Sequence, residues 1–174
     1  MPRITLTQIQ SLPDLLSSEH FTFNLGEIPN VGDGLQLMLK CVDCNIPGFT
    51  TEAFDVMLHG VQRSFRGRKM YPRTLACTFV EDSTMDTLNT LRAWMEQIVG
   101  SDSNTSVGGI LDYSVPATLT IFDQAGNDID SMDFINCYVQ DVPDVQVTGE
   151  SSSLMRVAAT FKYDYIQYRG VNIR

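Results

Sequence analysis

The sequence predicts a mainly β protein (class α+β) with one prominent helix. Most of the chain consists of short apolar or alternating segments separated by turn residues, which is typical of strands. Residues 155–165 show the clearest strand pattern, with an apolar or aromatic residue at every second position. Residues 84–99 differ, because their large apolar residues recur every three or four positions, as on one face of a helix.

The first half of the chain is predicted to contain three extended segments. Residues 35–42, LQLMLKCV, are nearly all apolar and resemble a buried strand. Residues 49–58 form the second segment, and residues 60–72 are expected to be a long loop or a hairpin because glycines and a proline punctuate them. Residues 75–79 alternate apolar and polar side chains, which indicates a half-buried strand.

The predicted helix has recognisable ends. Ser83 can cap its first turn, Asp86 places a negative charge near the positive helix end, and Gly100 is a natural stop. The side chains expected to pack on the core are Met85, Leu88, Leu91, Trp94, Met95 and Ile98. After a flexible stretch at residues 101–109, strands are predicted at residues 115–122, 131–139 and 155–165.

Length and composition limit the function. At 174 residues the chain has the size of one domain, which we place at residues 21–174 after an N-terminal arm of residues 1–20. It carries 21 acidic and 12 basic residues, a net charge of −9. This balance disfavours a surface that grips nucleic acid throughout, because phosphate contacts need Lys and Arg. No apolar run has the length of a membrane helix, so no membrane anchor is expected.

No catalytic or metal-binding pattern is found. His20 and His59 lie in no ligand-like context, and no nucleophile with its base can be assembled. Cys41 and Cys44 have a C-x-x-C spacing, which could hold zinc or form a redox pair. A zinc site needs a second pair, however, and the other two cysteines are single and far apart in the chain. We expect small buried or half-buried thiols, no metal, no cofactor and no enzymatic activity.

The charges divide the chain into two parts. Between Arg92 and Arg156 there is no Lys or Arg, although this span holds ten acids. Five bases lie within or beside residues 60–72, namely Arg63, Arg66, Arg68, Lys69 and Arg73. Such a chain suits head-to-tail association, in which the basic loop of one copy meets an acidic face of the next. A loop that is merely solvated is an equal alternative.

Several motifs occur in a fixed order along the chain. They are Ile46-Pro47-Gly48-Phe49, the glycine-and-basic segment with Gly67-Arg68, Tyr71-Pro72-Arg73-Thr74-Leu75, Glu81-Asp82-Ser83, Leu91-Arg92-Ala93-Trp94, Asn136-Cys137-Tyr138-Val139 and Phe161-Lys162-Tyr163-Asp164-Tyr165. Together these motifs resemble the tail tube family of contractile-tailed bacteriophages. The resemblance covers residues 21–168, and the family is related to the tubes of type VI secretion and other contractile injection systems.

The resemblance implies a fold and an assembly. The fold would be two packed antiparallel sheets forming a barrel-like core with one flanking helix. Six copies would close a ring lined by a β-barrel, and rings would stack into a tube inside a sheath, bounded by baseplate and tail-terminator proteins. The tape-measure protein and genomic DNA would pass through the lumen without specific binding, in a virion tail made in the bacterial cytoplasm. Acids expected on the partner or lumen face are Asp123, Asp128, Asp130, Asp133, Asp141 and Asp144.

Other functions remain open at this point. A paralogue at one end of the tube, either the baseplate tube-initiating protein or a tail-terminating ring, would share the fold without indefinite stacking. A metal or redox module built on Cys41 and Cys44 is a minor alternative from a different class, and a small-ligand β-barrel binder is another.

Overall fold

A seven-stranded antiparallel sheet and a separate two-stranded hairpin make up the β structure. The computed structural model describes residues 18–32, 34–100, 108–147 and 154–169. The predicted arm, apart from its last three residues, and most of the predicted flexible stretch at residues 101–109 lie outside these ranges. The mainly β class with one long flanking helix is confirmed.

The strands are β1 (Phe21–Leu25), β2 (Cys41–Cys44), β3 (Thr50–Leu58), β4 (Val61–Met70), β5 (Thr74–Val80), β6 (Val115–Phe122), β7 (Asp128–Asp141), β8 (Arg156–Lys162) and β9 (Tyr165–Tyr168). The helices are α1 (Leu35–Lys40) and α2 (Asp86–Ile98), and one 3-10 turn covers Ile110–Asp112. In the large sheet the order is β1-β6-β7-β8-β5-β2, with β9 paired to β7. Strands β3 and β4 form the hairpin and pair with each other.

Strand β7 joins the two halves of the large sheet. Its first part pairs with β6 and β9, and its last residues pair with β8. Asn136, near the change of partner, has a positive φ of 54°, which Asn tolerates better than most residues. The two halves face each other, since the rings of Phe23 on β1 and Phe161 on β8 are 5.8 Å apart. The end strands β1 and β2 do not pair, so the sheet stays open rather than closing into a barrel.

The core consists of alternate residues of the predicted strands. On β5 and β8 the fully buried positions are every second residue, as the alternation predicts: Leu75, Cys77, Phe79, Val157, Ala159 and Phe161. Strand β6 has the predicted bounds, and β7 extends the predicted 131–139 segment at both ends. Helix α2 adds Leu88, Leu91 and Trp94 to this core, while Met95 and Ile98 pack at its margin.

The prediction of a buried strand at residues 35–42 is wrong. Leu35–Lys40 form helix α1, and only the next four residues are a strand. Leu, Gln, Met and Lys are all good helix formers, and a short apolar run does not distinguish helix from strand by its period. Of the six helical residues, Leu37 is buried and Leu39 is 68% exposed, so the helix covers the sheet edge with one side only.

The final strand is shorter than predicted. The alternation continues inward through Tyr163, but pairing with β5 ends at the Thr74–Lys162 pair. The next amide, Asp164 N–H, donates to the carbonyl of Ile135 on β7 at 3.0 Å. The chain thus changes its pairing partner from β5 to the first part of β7. Strand β9 begins there as a separate strand, with Tyr165 57% exposed.

The N-terminus of α2 is capped by Glu81 rather than by Ser83. The Glu81 carboxylate is 8% exposed and accepts hydrogen bonds from the backbone N–H groups of Thr87 and Leu88 at 3.1 and 2.9 Å. The N-cap residue itself, Met85, has a left-handed backbone (φ 56°) and makes no side-chain cap bond. Met85 is also 39% exposed, so it does not belong to the core stripe predicted for it.

We predict that Glu81→Ala destabilises the subunit by about 1.5–3 kcal/mol, because two helical N–H groups lose a charged acceptor in a buried place. Urea unfolding followed by circular dichroism would measure the change. Ser83→Ala is the matched control on the same loop and should change the free energy of unfolding by less than about 0.5 kcal/mol. Equal effects of the two substitutions would contradict the capping role of Glu81.

Candidate assembly surface

The segment predicted to be a long loop or a hairpin is a hairpin. Its two strands are joined at His59 and Gly60, both with positive φ (50° and 82°), which is the backbone of a tight two-residue turn. Leu58 and Val61 pair directly on either side of this turn. His59 therefore lies at the exposed tip of the hairpin.

One face of the hairpin is apolar and open to solvent. Directly paired residues share a face, and every second pair lies on the same side of a two-stranded sheet. By this register the pairs Phe54–Phe65, Val56–Arg63 and Leu58–Val61 lie on one face. The two phenylalanine rings stack with centroids 5.7 Å apart. We call this set the apolar face; Phe54, Leu58, Val61 and Phe65 are 54, 45, 62 and 41% exposed.

The opposite face of the hairpin is polar and mainly organised by Asp55. Its carboxylate accepts hydrogen bonds from Gln62 Nε2 at 2.8 Å and from Ser64 Oγ. A bulge follows, in which Gly67 and Arg68 lie opposite Glu52. A side chain at position 67 would come within 3.0 Å of the Glu52 backbone and Cβ, so the close approach of the strands there requires glycine.

The predicted basic residues are brought together on this hairpin and at its base. Arg63, Arg66, Arg68 and Lys69 lie on β4, Arg73 lies just before β5, and all five are exposed. Within the described ranges the ion pairs are Lys40–Asp82, at 2.6 Å, and Arg169–Asp133, so none of the five bases has a carboxylate partner there. Lys69 Nζ instead lies 4.0 Å from the ring centre of Phe49. The hairpin thus combines an unburied apolar face with uncompensated positive charge.

The predicted acids are not collected on one surface. Asp123 organises the turn between β6 and β7, accepting bonds from the amide N–H groups of Ala125 and Asn127 and from the Asn127 side chain. The Asn127 side-chain bond is the main cause that lowers the pKa of this carboxyl. Asp128 is exposed, while Asp130 accepts a bond from the Ser131 amide.

Asp133 is turned into its own subunit. It is 8% exposed, accepts a hydrogen bond from Thr118 Oγ1 at 2.9 Å and pairs with Arg169. Its charge is therefore already compensated within the chain. Asp141 and Asp144 differ, since both are exposed at or just beyond the end of β7.

The basic hairpin and Asp144 lie toward opposite ends of the subunit, whereas Asp141 pairs with Thr160, which lies opposite Ala76 near the hairpin end of β5. Strand β5 begins at Thr74, next to the hairpin, and ends at Val80, next to the loop that leads into α2. Its seven residues span about 20 Å. At the helix end, Asp144 borders a groove of about 410 Å³ between α2 and residues 142–147. Apolar side chains line most of this groove, among them Met85, Leu88, Met95, Val142, Val145 and Met155.

Sequence reasoning identified the bases of this surface and missed its apolar residues. The signal was present, because Phe54, Val56 and Leu58 occupy every second position. The same alternation is found in strands that are buried against the core of their own subunit. The sequence alone therefore does not distinguish that case from a face that a partner covers.

The described residues offer no metal site and no membrane helix. Among them, no group of three or more His, Cys, Asp or Glu side chains could hold a metal ion. No helix in the same ranges is long and apolar enough to cross a membrane. The cysteines are free, but Cys77 is not isolated as predicted, because its Sγ lies 3.2 Å from that of Cys44. Sequence separation hid this contact, which depends on the pairing of β2 with β5.

Comparisons with known proteins give one family and one fold. The sequence matches the family described as "Phage tail tube protein" over residues 8–168. No curated protein sequence matches the chain significantly.

The similar solved structures come from contractile injection systems. The sheath/tube terminator of the extracellular contractile injection system PVC has a TM-score of 0.66 at 9% identity, covering 91% of this chain and 99% of that one. The tube-terminating cap of the anti-feeding prophage gives 0.65 at 9% identity, with 91% and 93% covered. The PVC sheath-tube complex gives 0.60 at 12% identity, with 97% and 100% covered. At these identities the likeness concerns the fold.

Proposed function

The chain belongs to the phage tail tube protein family, and from that premise we propose that it is a tube subunit that assembles into stacked hexameric rings. It is a structural component of a contractile tail assembly and not an enzyme. The observation that carries the proposal is the hairpin of β3 and β4, which exposes an apolar face and positive charges without a described partner in its own subunit.

The hairpin needs a neighbour for stability. An isolated two-stranded hairpin is marginally stable in water at best. Burying each large side chain of the apolar face would contribute about 1.5–3 kcal/mol. A second copy of the chain is the partner that is always present at the right stoichiometry. Burial of the apolar face against that copy would stabilise the hairpin and favour assembly.

The position of the charges favours head-to-tail stacking. The bases project from one end of the subunit, and the exposed Asp144 lies toward the other. Each exposed ion pair is worth only about 0–1 kcal/mol. Six-fold repetition multiplies that value at every ring-to-ring junction, and the apolar groove beside Asp144 offers a surface on which the apolar face of the next copy can be buried.

The large sheet provides edges for closing a ring. Strands β1 and β2 end the strand path, with five and four residues respectively, and among the described strands neither has a partner on its outer side. Short edge strands of this kind are completed when adjacent copies close a ring. In the ring, the half-buried Asp123 and the exposed Asp128 are candidates for the lumen, where like charge keeps DNA from adhering.

The proposed partners follow from this role. The outer surface of the tube would contact the sheath, and its ends would contact the baseplate and the terminator, in the tail of a virion assembled in the bacterial cytoplasm. The tape-measure protein and the DNA would move through the lumen without a specific binding site.

A role at one end of the tube is the second candidate, because the terminator and the cap are as similar in fold as the sheath-tube complex. Electron microscopy of the purified chain separates the two roles. Tubes much longer than one ring at increasing protein concentration support the tube subunit. A population that stops at single or double rings supports an initiator or terminator instead.

The charges of the hairpin should control stacking. We predict that Arg66→Glu with Arg68→Glu leaves the circular dichroism spectrum unchanged but prevents tube formation. The two new glutamates would repel the acids of the next copy that the arginines attract. Sedimentation and electron microscopy at low salt would measure assembly. Adding Asp144→Lys to the same chain should restore tubes in part. Wild-type polymerisation of the double variant would show that the hairpin bases are not a stacking contact.

Assembly should depend on the apolar face of the hairpin and not on the total exposed apolar area. We predict that Phe54→Ser with Phe65→Ser abolishes assembly of a folded subunit, because the face no longer gains from burial in a neighbour. Met57→Ser is the matched control, since Met57 is 67% exposed but pairs with Gln62 on the polar face. Light scattering would follow assembly of both variants. Equal loss in the control, or normal assembly of the double variant, would contradict the proposed contact.

A further inference from the structure

A bulge in strand β2 places two cysteines on the same side of the sheet. Cys41 and Cys44 are three positions apart, so in a regular strand they would point to opposite faces. The register shifts between Cys41 and Asp43, and as a result Cys41 pairs with Phe79 and Cys44 pairs with Cys77. Phe79 and Cys77 are both buried, 0 and 2% exposed, so both β2 cysteines face the same core.

Cys44 and Cys77 have the relation that a cross-strand disulfide needs. They are direct partners on antiparallel strands, and the amide of Asn45 donates to the carbonyl of Ala76 at 2.9 Å. That bond connects the residues just outside the pair, which makes Cys44–Cys77 a non-hydrogen-bonded pair, where the side chains are closest. Such pairs have Cα atoms about 4.5 Å apart, within the range of disulfides. The two sulfur atoms are already 3.2 Å apart.

The two thiols differ in access. Cys44 is half-buried and borders an open cavity of about 580 Å³ between the end of β2 and strands β1 and β6. Cys77 lies beneath it in the core. Hydrogen bonds with Cys41 and with Cys44, together with burial, raise the pKa of the Cys77 thiol. Cys137 is completely buried, and its burial raises the pKa of its thiol as well. Cys41 is half-buried too, and a hydrogen bond with Cys77 is the main cause that lowers the pKa of its thiol, but it does not line this cavity. An oxidant that enters the cavity therefore meets Cys44 first.

We propose that Cys44 and Cys77 are a redox-active pair that closes to a disulfide when the subunit meets a small-molecule disulfide such as oxidised glutathione. The pair differs from the C-x-x-C pair considered from the sequence, because it joins two strands rather than two positions of one segment. The inference does not depend on the proposed tube assembly, since it concerns contacts within one subunit.

The reaction balances in two thiol–disulfide exchanges. The Cys44 thiolate attacks one sulfur of oxidised glutathione, forms a mixed disulfide and releases one glutathione thiolate. Cys77 then loses its proton to water and attacks the Cys44 sulfur, which releases the second glutathione. The two protein thiols are oxidised to one disulfide, and one glutathione disulfide is reduced to two glutathione thiols.

The disulfide would stabilise the edge strand β2. Strand β2 is a four-residue edge strand, and β5 belongs to the core. The chain between Cys44 and Cys77 contains the whole hairpin of β3 and β4, so the new bond would close a covalent loop at the hairpin base. Oxidation outside the reducing cytoplasm would then stiffen the anchorage of this hairpin.

Thiol counting and peptide mapping test the proposal on the purified, reduced subunit. After incubation with oxidised glutathione, the number of free thiols under denaturing conditions should fall from four per chain to two. Non-reducing peptide mass spectrometry should find Cys44 joined to Cys77. The melting temperature should rise by about 5–15 °C, the range that a typical disulfide gives a chain of this size.

Two alanine variants make the assignment specific. Cys44→Ala should keep all three of its remaining thiols and show no rise in melting temperature. Cys41→Ala is the matched control, which should fall from three thiols to one and show the same rise as the wild type. Four thiols that persist in the wild type, cross-links only between chains, or a bond from Cys41 to Cys77 would each overturn the proposal.

Discussion

The apolar face of the hairpin of β3 and β4 is left exposed by the described part of the subunit, and the proposed assembly follows from this. The seven-stranded sheet fills its core with side chains of its own strands and of α2. Phe54 and Phe65 do not belong to that core, and they stack on each other with a large part of each residue still exposed. The described part of the subunit therefore consists of a packed sheet and helix with one hairpin whose apolar face is not covered.

The core determines the end of the subunit from which the hairpin projects. Because β5 runs from the hairpin base to the loop before α2, the hairpin and the groove beside α2 are held toward opposite ends of one rigid strand. The Glu81 carboxylate fixes the start of α2 against this sheet, and Trp94 Nε1 donates to the carbonyl of Tyr113 at 2.8 Å, which ties the helix to the chain before β6. A contact surface that repeats from copy to copy needs this rigidity, since flexible ends would lose entropy at each junction.

The sequence predicts the parts of this structure that depend on a local pattern. It does not predict the parts that depend on contacts between segments distant in the chain. The α2 stripe and the buried positions of β5 and β8 were predictable, because period and burial agree there. The helix at Leu35–Lys40 was not, because a six-residue segment with four apolar residues has no readable period. The Glu81 cap and the Cys44–Cys77 contact depend on backbone paths that bring residues together without a local signal. Charge counts located the basic hairpin but could not show that Asp133 is neutralised by Arg169.

The most direct test is a cryo-electron microscopy reconstruction of the assembled wild-type chain, examined for what covers Phe54 and Phe65. The account predicts stacked six-membered rings in which the hairpin lies on a neighbouring copy, with both rings buried and Arg66 and Arg68 facing acids of that copy. An assembly in which the hairpin projects into solvent, with its apolar face as exposed as in the single subunit, would contradict the account.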